Sequence, residues 1–320
     1  MSIHQLHVAL NAVDFWAFFS CAGLLLVRVV LLPSSAFALP EIGARWRLLL
    51  GMALALLSIT GLLLPLARLM EMSGDAVADA AALLGTVLRQ THFGQIWSLH
   101  LAGLLLLWLT WFGTHRKPGR APAAAMLTIV AVLAWTYSAS SHAADRGDFS
   151  AMEIGDWLHV VAASLWGGCI LACGLLLSGL QKAAAERQPI AMLAGRLSTL
   201  SAAALALVLL TGTYNLGTRI DSADQLLHSA YGRLLMVKLL LVAAMAAVGA
   251  LNRLLLVPRL IRWASREKGA DERALHRFTS AMRVDMLLVL LVLCAAAVLI
   301  QSMPPSAAGM GAEMVRHFRS

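Results

Sequence analysis

Eight long apolar stretches leave this chain little choice of fold. They run over Ala12–Leu32, Trp46–Met70, Gly94–Gly113, Ala123–Ser141, Ile154–Leu180, Leu197–Leu216, Tyr231–Leu256 and Ala281–Met303. A helix needs about 20 apolar residues to cross a bilayer core, and in lipid the backbone must satisfy its own hydrogen bonds. With 60 % hydrophobic and 13 % charged residues, the chain also lacks the polar surface of a soluble globule. The sequence predicts an all-α, polytopic membrane helical bundle of about eight transmembrane helices. No basic residue precedes the first run in "MSIHQLHVALNAVDFW", so that run is expected to stay as a span and not to be cleaved as a signal.

The net charge of +8 is read as topology, with no nucleic-acid partner. Its densest segments are "HRKPGRAP" (His115–Pro122) and "NRLLLVPRLIRWASREKGADERALHRF" (Asn252–Phe278). Both occupy alternate loops, as does Arg45–Arg47 between the first two spans. The positive-inside rule makes these loops cytoplasmic and puts both termini outside. Cys21, Cys169, Cys173 and Cys294 all fall in apolar runs, where cysteine packs as a small hydrophobe and no disulfide is implied.

An internal echo divides the chain. "SITGLLL" followed by "THFGQIWSLHL" (Ser58–Leu101) resembles "LLTGTYN" followed by "SAYGRLLMVKL" (Leu209–Leu239). The echo sets His100 opposite Lys238 and Asp14 near Asp156. It suggests two parallel four-span halves, residues 1–150 with a histidine-rich outer face and residues 151–320. Between spans two and three, Ser73–Gln90 carries apolar residues at helical spacing and predicts an amphipathic surface helix.

Histidine placement points to chemistry. His92, His100, His142 and His159 lie in or near the outer leaflet on three consecutive spans, whereas His115 and His276 are cytoplasmic. Burying an ionisable group in lipid costs free energy, which makes it a functional candidate, and neutral imidazole is the commonest metal ligand. These four are the candidate metal ligands, and His100, His142 and His159 could instead hold a haem. His4, His7, His228 and His317 are expected to be solvated. No Gly-rich phosphate loop, serine triad or zinc-protease motif supports hydrolase chemistry.

Other residues are placed around these ligands. Asp156, three residues before His159, is positioned to accept its ring N–H. His159, Ala163 and Gly167 form a ridge that admits a close neighbouring helix. Trp97, Trp108 and Trp111 share a face with His100, as a wall or as interfacial anchors. Beyond Trp166, Cys169 and Cys173 continue inward and could relay a soft ion. Lys238 is a buried cation that Asp14 or Asp156 could pair with, and Asp285 matches the depth of Asn252 and Arg253. Among 14 methionines, the outer Met70, Met72, Met152, Met303 and Met310 offer thioethers suited to Cu(I).

Five stretches together carry a family resemblance: "SHAAD" (Ser141–Asp145), "DWLHVVAASLWGG" (Asp156–Gly168), "RLSTLSAAALALVLLTGTYN" (Arg196–Asn215), "AYGRLLMVKLLLVAAMAAVGALNR" (Ala230–Arg253) and "RVDMLLVLLVLCAAAVLIQSMPP" (Arg283–Pro305). They resemble the copper-resistance protein D (CopD) family of bacterial inner-membrane proteins. The resemblance implies copper handling, usually uptake into the cytoplasm beside a periplasmic copper-binding partner of the CopC type. By position it implicates His142 and His159, and it marks Tyr231, Gly232, Lys238, Asn252 and Arg253 as motif residues. His100 stands where relatives often have arginine, and Asp285 where glutamate is usual. The leading expectation is a multi-pass inner-membrane protein with periplasmic termini that captures copper outside and passes it inward. The alternative is a b-type haem oxidoreductase, such as a cupric reductase, built on histidine pairs.

Overall fold

The computed structural model describes residues 2–73, 77–114, 119–141, 147–182, 187–220, 222–266 and 273–302. Among these residues the chain is helical, without strands. Eight helices are long and apolar enough to cross a membrane, Ile3–Leu31, Pro40–Glu71, His92–Thr114, Arg120–Ala139, Ala151–Leu177, Arg187–Arg219, Ala230–Ala264 and Ala274–Ile300. They are spans one to eight below. The amphipathic segment forms the helix Val77–Gln90, and a shorter helix, Ala223–His228, precedes span seven.

Each predicted run coincides with one span, and most spans begin earlier than their run. Span one starts at Ile3, well before Ala12, because Ser2 and Gln5 form a reciprocal capping box. Its first turns hold His4, Gln5, His7 and Asn11, which dilute the hydropathy without breaking the helix. The expectation of a solvated His7 is therefore corrected: His7 is 6 % exposed, inside span one.

Spans one and five are central, each with 67 % of its apolar window buried, against 6 % for span seven. Span one packs on spans two, four, five and eight, and span five also on spans two, four, six and eight. The two central helices meet at glycine. A methyl group built on Gly23 would lie 1.8 Å from the Gly168 carbonyl oxygen, so the backbones touch where side chains would separate them. The predicted ridge ended at Gly167. The structure uses Gly168, because Ser164–Gly168 is a π-turn, which adds one residue to the local helical period. Gly167 instead packs near Phe19 and Val289.

Indole N–H groups tie neighbouring helices together. Trp46 donates to the Leu24 carbonyl at 2.8 Å, Trp97 to the Gly61 carbonyl at 2.8 Å, and Trp157 to the Ala131 carbonyl at 3.0 Å. The anchor role expected of Trp97 gives way to a strap between spans two and three. Trp108 donates to Ser58 Oγ at 2.9 Å and stands edge-on to Trp111, so the predicted aromatic wall also serves helix packing.

The two ends of the bundle differ in chemistry. At one end Arg45, Arg120, Arg187 and Arg196 donate to the carbonyls of Leu175, Leu32, Trp263 and Val30. This is the basic end. The opposite end carries His4, His7, His92 and His228, each beside a carboxylate.

Overpacking a close-packed site typically costs about 1–3 kcal/mol, and here the obstacle is backbone. Gly23→Val should lower the detergent melting temperature by several degrees and reduce monodisperse yield on size exclusion. Gly195→Ala, where an added methyl meets nothing within 4 Å, should leave both unchanged.

Candidate functional site

A buried polar line runs along span one from the histidine end. His7, Asn11 and Asp14 recur at helical spacing and are 6 %, 9 % and 1 % exposed. His7 Nδ1 meets Glu71 Oε2 at 2.9 Å, and His7 Nε2 lies 3.3 Å from Gln301 Nε2. The amide nitrogen of Gln301 can only donate, so Nε2 of His7 accepts and Nδ1–H faces the carboxylate. Asn11 donates back to the His7 carbonyl, holding the next turn.

Asp14 sits deeper, between three spans. Thr60 Oγ1 of span two and Tyr137 Oη of span four each lie 2.5 Å from one of its oxygens. Both partners are hydroxyls, and no ion pair to Asp14 occurs among the described residues. Beside it, the Tyr137 ring lies edge-on to His100, with ring centres 5.5 Å apart. Asp14, Tyr137 and His100 thus form one contiguous cluster in the N-terminal half.

The hydrogen bonds of His100 assign it a tautomer. Its Nδ1 lies 2.8 Å from Thr136 Oγ1, whose own proton goes to the Leu133 carbonyl at 2.7 Å. The hydroxyl has one proton, so Nδ1–H donates to it and Nε2 keeps a free lone pair. Thr211 does the same for His159: Nδ1 is 3.0 Å from Thr211 Oγ1, which donates to the Leu207 carbonyl at 2.7 Å. Each ring also lies against the glycine of a Thr-Gly pair, His100 on Gly61 and His159 on Gly212. A hydrogen-bonded Nδ1–H with Nε2 open is how a metal-ligating histidine is commonly oriented.

Charge separates the two histidines. His159 belongs to a cluster in which Asp156 accepts from Arg219 at 2.8 Å and from Asn215 at 3.1 Å. The expected bond from the His159 ring to Asp156 is not made, because that carboxylate is taken up by span six. Lys238 interacts electrostatically with Asp156 and Arg219, and both cations act on His159. Asp14 is therefore not the partner of Lys238. Two cations against one carboxylate make the surroundings of His159 net positive. His100 is linked to Asp14 through Tyr137.

The remaining candidates separate. His92 is half-exposed and pairs with Asp148 at 3.6 Å. His142 lies outside the described residues. Trp166, Cys169 and Cys173 are 6 %, 0 % and 3 % exposed and belong to the apolar core. Asp285 accepts from Asn252 Nδ2 at 2.9 Å, as its depth predicted. Arg253 instead donates to the Ser198 carbonyl and hydroxyl. Among the described residues no three His, Cys, Asp or Glu side chains converge on a metal-binding geometry. His100 and His159 bond to threonines on different spans, four and six, and no haem-like pairing arises from these contacts.

Sequence reasoning missed His7, Asn11 and Tyr137. The His7–Asn11–Asp14 spacing was a signal that could have been used, since it puts three polar groups on one face of an otherwise apolar helix. Tyr137 offered none, because its ring reads as apolar.

Residues 2–152 match the family model described as copper resistance protein D-like, N-terminal domain, and residues 191–299 match that of copper resistance protein D. Over 212 residues the chain is 32 % identical to the copper transport protein CutJ of Bacillus subtilis (strain 168). That stretch covers 60 % of this chain and 38 % of the relative, so the chain spans well under half the relative's length.

The tautomer assignment is open to direct measurement. With 15N-labelled histidine, His100 and His159 should show a protonated Nδ1 and an unprotonated Nε2. Thr136→Val and Thr211→Val should each shift only their own histidine's Nδ1 signal. A protonated Nε2 on either ring in the wild type would contradict the assignment.

Proposed function

Because the chain belongs to the copper resistance protein D family, we propose that it captures copper at the histidine end of the bundle and carries it toward the basic end. By the positive-inside rule the basic end faces the cytoplasm of a bacterial inner membrane, which makes the histidine end and both termini periplasmic. A periplasmic copper-binding partner of the CopC type would deliver the ion there. The name of the CutJ relative supports transport as the activity.

The observation that carries this reading is the contrast in charge between the two histidine clusters. A cation entering lipid needs lone pairs and negative charge, not a second cation. His7, Glu71, Asp14 and His100 provide these in the N-terminal half, and the Nε2 of His100 is free to bind. His159 is held by a threonine in the same way, but Arg219 and Lys238 oppose a cation beside it. Copper capture is accordingly assigned to His100 and Asp14, with His7 and Glu71 leading toward them. His142 follows span four directly in sequence and is retained as a further ligand, and His92 as an outer contact. His159, Asp156, Arg219 and Lys238 form a charge lock between spans five, six and seven. The division into halves at about residue 150 is supported by the two family models, which match residues 2–152 and 191–299.

The test is copper accumulation in cells lacking other importers, with membrane abundance checked by immunoblot. His100→Ala and Asp14→Asn should each cut accumulation at least fivefold, and His159→Ala should retain more than half. Wild-type accumulation by both N-terminal variants would refute the assignment. A gain of copper on removing the protein would reverse the direction.

A further inference from the structure

At the basic end, a cavity of about 190 Å³ opens among spans five to eight. It lies in the C-terminal half, apart from the Asp14–His100 cluster. Most of its wall is small or apolar, but Ser201, Asn252 and Asp285, from three spans, also line it. Asp285 is 2 % and Asn252 8 % exposed. Asn252 spends its amide nitrogen on Asp285 Oδ2, leaving Asp285 Oδ1, Asn252 Oδ1 and Ser201 Oγ buried without a hydrogen-bond partner.

These orphaned atoms share one character. Two are pure acceptors and the third is a hydroxyl with lone pairs available. An orphaned buried acceptor costs about 1–3 kcal/mol, and the two acceptor-only oxygens, one of them a carboxylate's, offer their lone pairs to a cation. Arg253 also lines the cavity, but its guanidinium is engaged with Ser198. The π-turn Asn252–Leu256 brings Asn252 to this wall. The same cavity is lined by the thioethers of Met245 and Met282, which are 3 % and 2 % exposed. One carboxylate matches one positive charge, and thioether sulfur selects a soft ion.

We propose that this cavity is a second cation site near the cytoplasmic face, taking Cu(I) between the Asp285 carboxylate, the Asn252 carbonyl oxygen and the sulfurs of Met245 and Met282. It rests on the copper-handling function proposed above and gives the ion a station between the histidine end and release. Asn252 and Asp285, which pair structurally and both line the cavity, thereby also form a binding pair.

The experiment is anaerobic titration of the detergent-purified full chain with Cu(I), in competition with bicinchoninate, followed by copper K-edge absorption. Asp285→Asn tests the carboxylate, and the Met245→Leu/Met282→Leu double variant tests the sulfurs with little change in volume. Each should lose one copper equivalent relative to wild type, and the double variant should also lose sulfur scattering. His100→Ala should lose a different equivalent and keep the sulfur signal. If Asp285→Asn and the double variant keep the wild-type count while His100→Ala loses its ion, the inner site is overturned and copper capture at the histidine end stands. If the wild type binds no Cu(I), both are overturned.

Discussion

The backbone contact between Gly23 and Gly168 is the constraint from which the rest of the bundle follows. Lipid tails are as apolar as leucine, so helices in a membrane associate through close packing and hydrogen bonds, with little hydrophobic drive. Where spans one and five touch, Asp14 and His159 are each carried on a central helix and turned toward neighbours in their own half. Thr60 and Tyr137 reach Asp14 because span one is sandwiched between spans two and four. Thr211 reaches His159 because span six packs on span five. Separating the central pair would unseat both clusters together.

The clusters around Asp14 and His159 share one local device and differ in charge. Each has a Thr-Gly pair whose threonine bonds an ionisable residue of the central helix: Thr60 to Asp14, Thr211 to His159. On the next span but one from each central helix stand the echo partners His100 and Lys238. An acid and a histidine in one cluster thus stand where the other has a histidine and a lysine. The C-terminal half recovers acceptor character only at its other end, around Asp285 and Asn252. Taken in order, the acceptor groups lie diagonally across the bundle, from the histidine end near span one to the basic end near span eight.

Most of the fold was legible in the sequence, because an apolar run in lipid has one backbone solution. The limits of the spans were not, since hydropathy registers composition and not hydrogen bonding. Ile3–Asn11 is helical through its cap and its contacts with Glu71 and Gln301, which lie far away in sequence. The site was legible in kind but not in connection. Aspartate and histidine inside spans were flagged by their burial cost, and the Asn252–Asp285 pair by matching depth. The partner of Asp156 was misjudged because a neighbour three residues along the helix is visible in sequence, whereas Asn215 and Arg219 are some sixty residues away. The sign of the field at His159 depends on three spans at once and has no sequence signature.

The π-turn at Ser164–Gly168 also governs how residues before and after it can change. An α-helix advances about 100° per residue, and the turn absorbs one residue without passing that rotation on. Upstream of it, His159 keeps its phase toward span six; downstream, Gly168 and Cys169 keep theirs toward span one. Deleting one residue within the turn would restore a plain α-helix and leave Cys169–Leu177 near its present phase, whereas the same deletion elsewhere in the span would swing the residues beyond it by about 100°. Relatives with a plain helix here must therefore be aligned with a one-residue gap, or every inner position of span five will be compared with the wrong face.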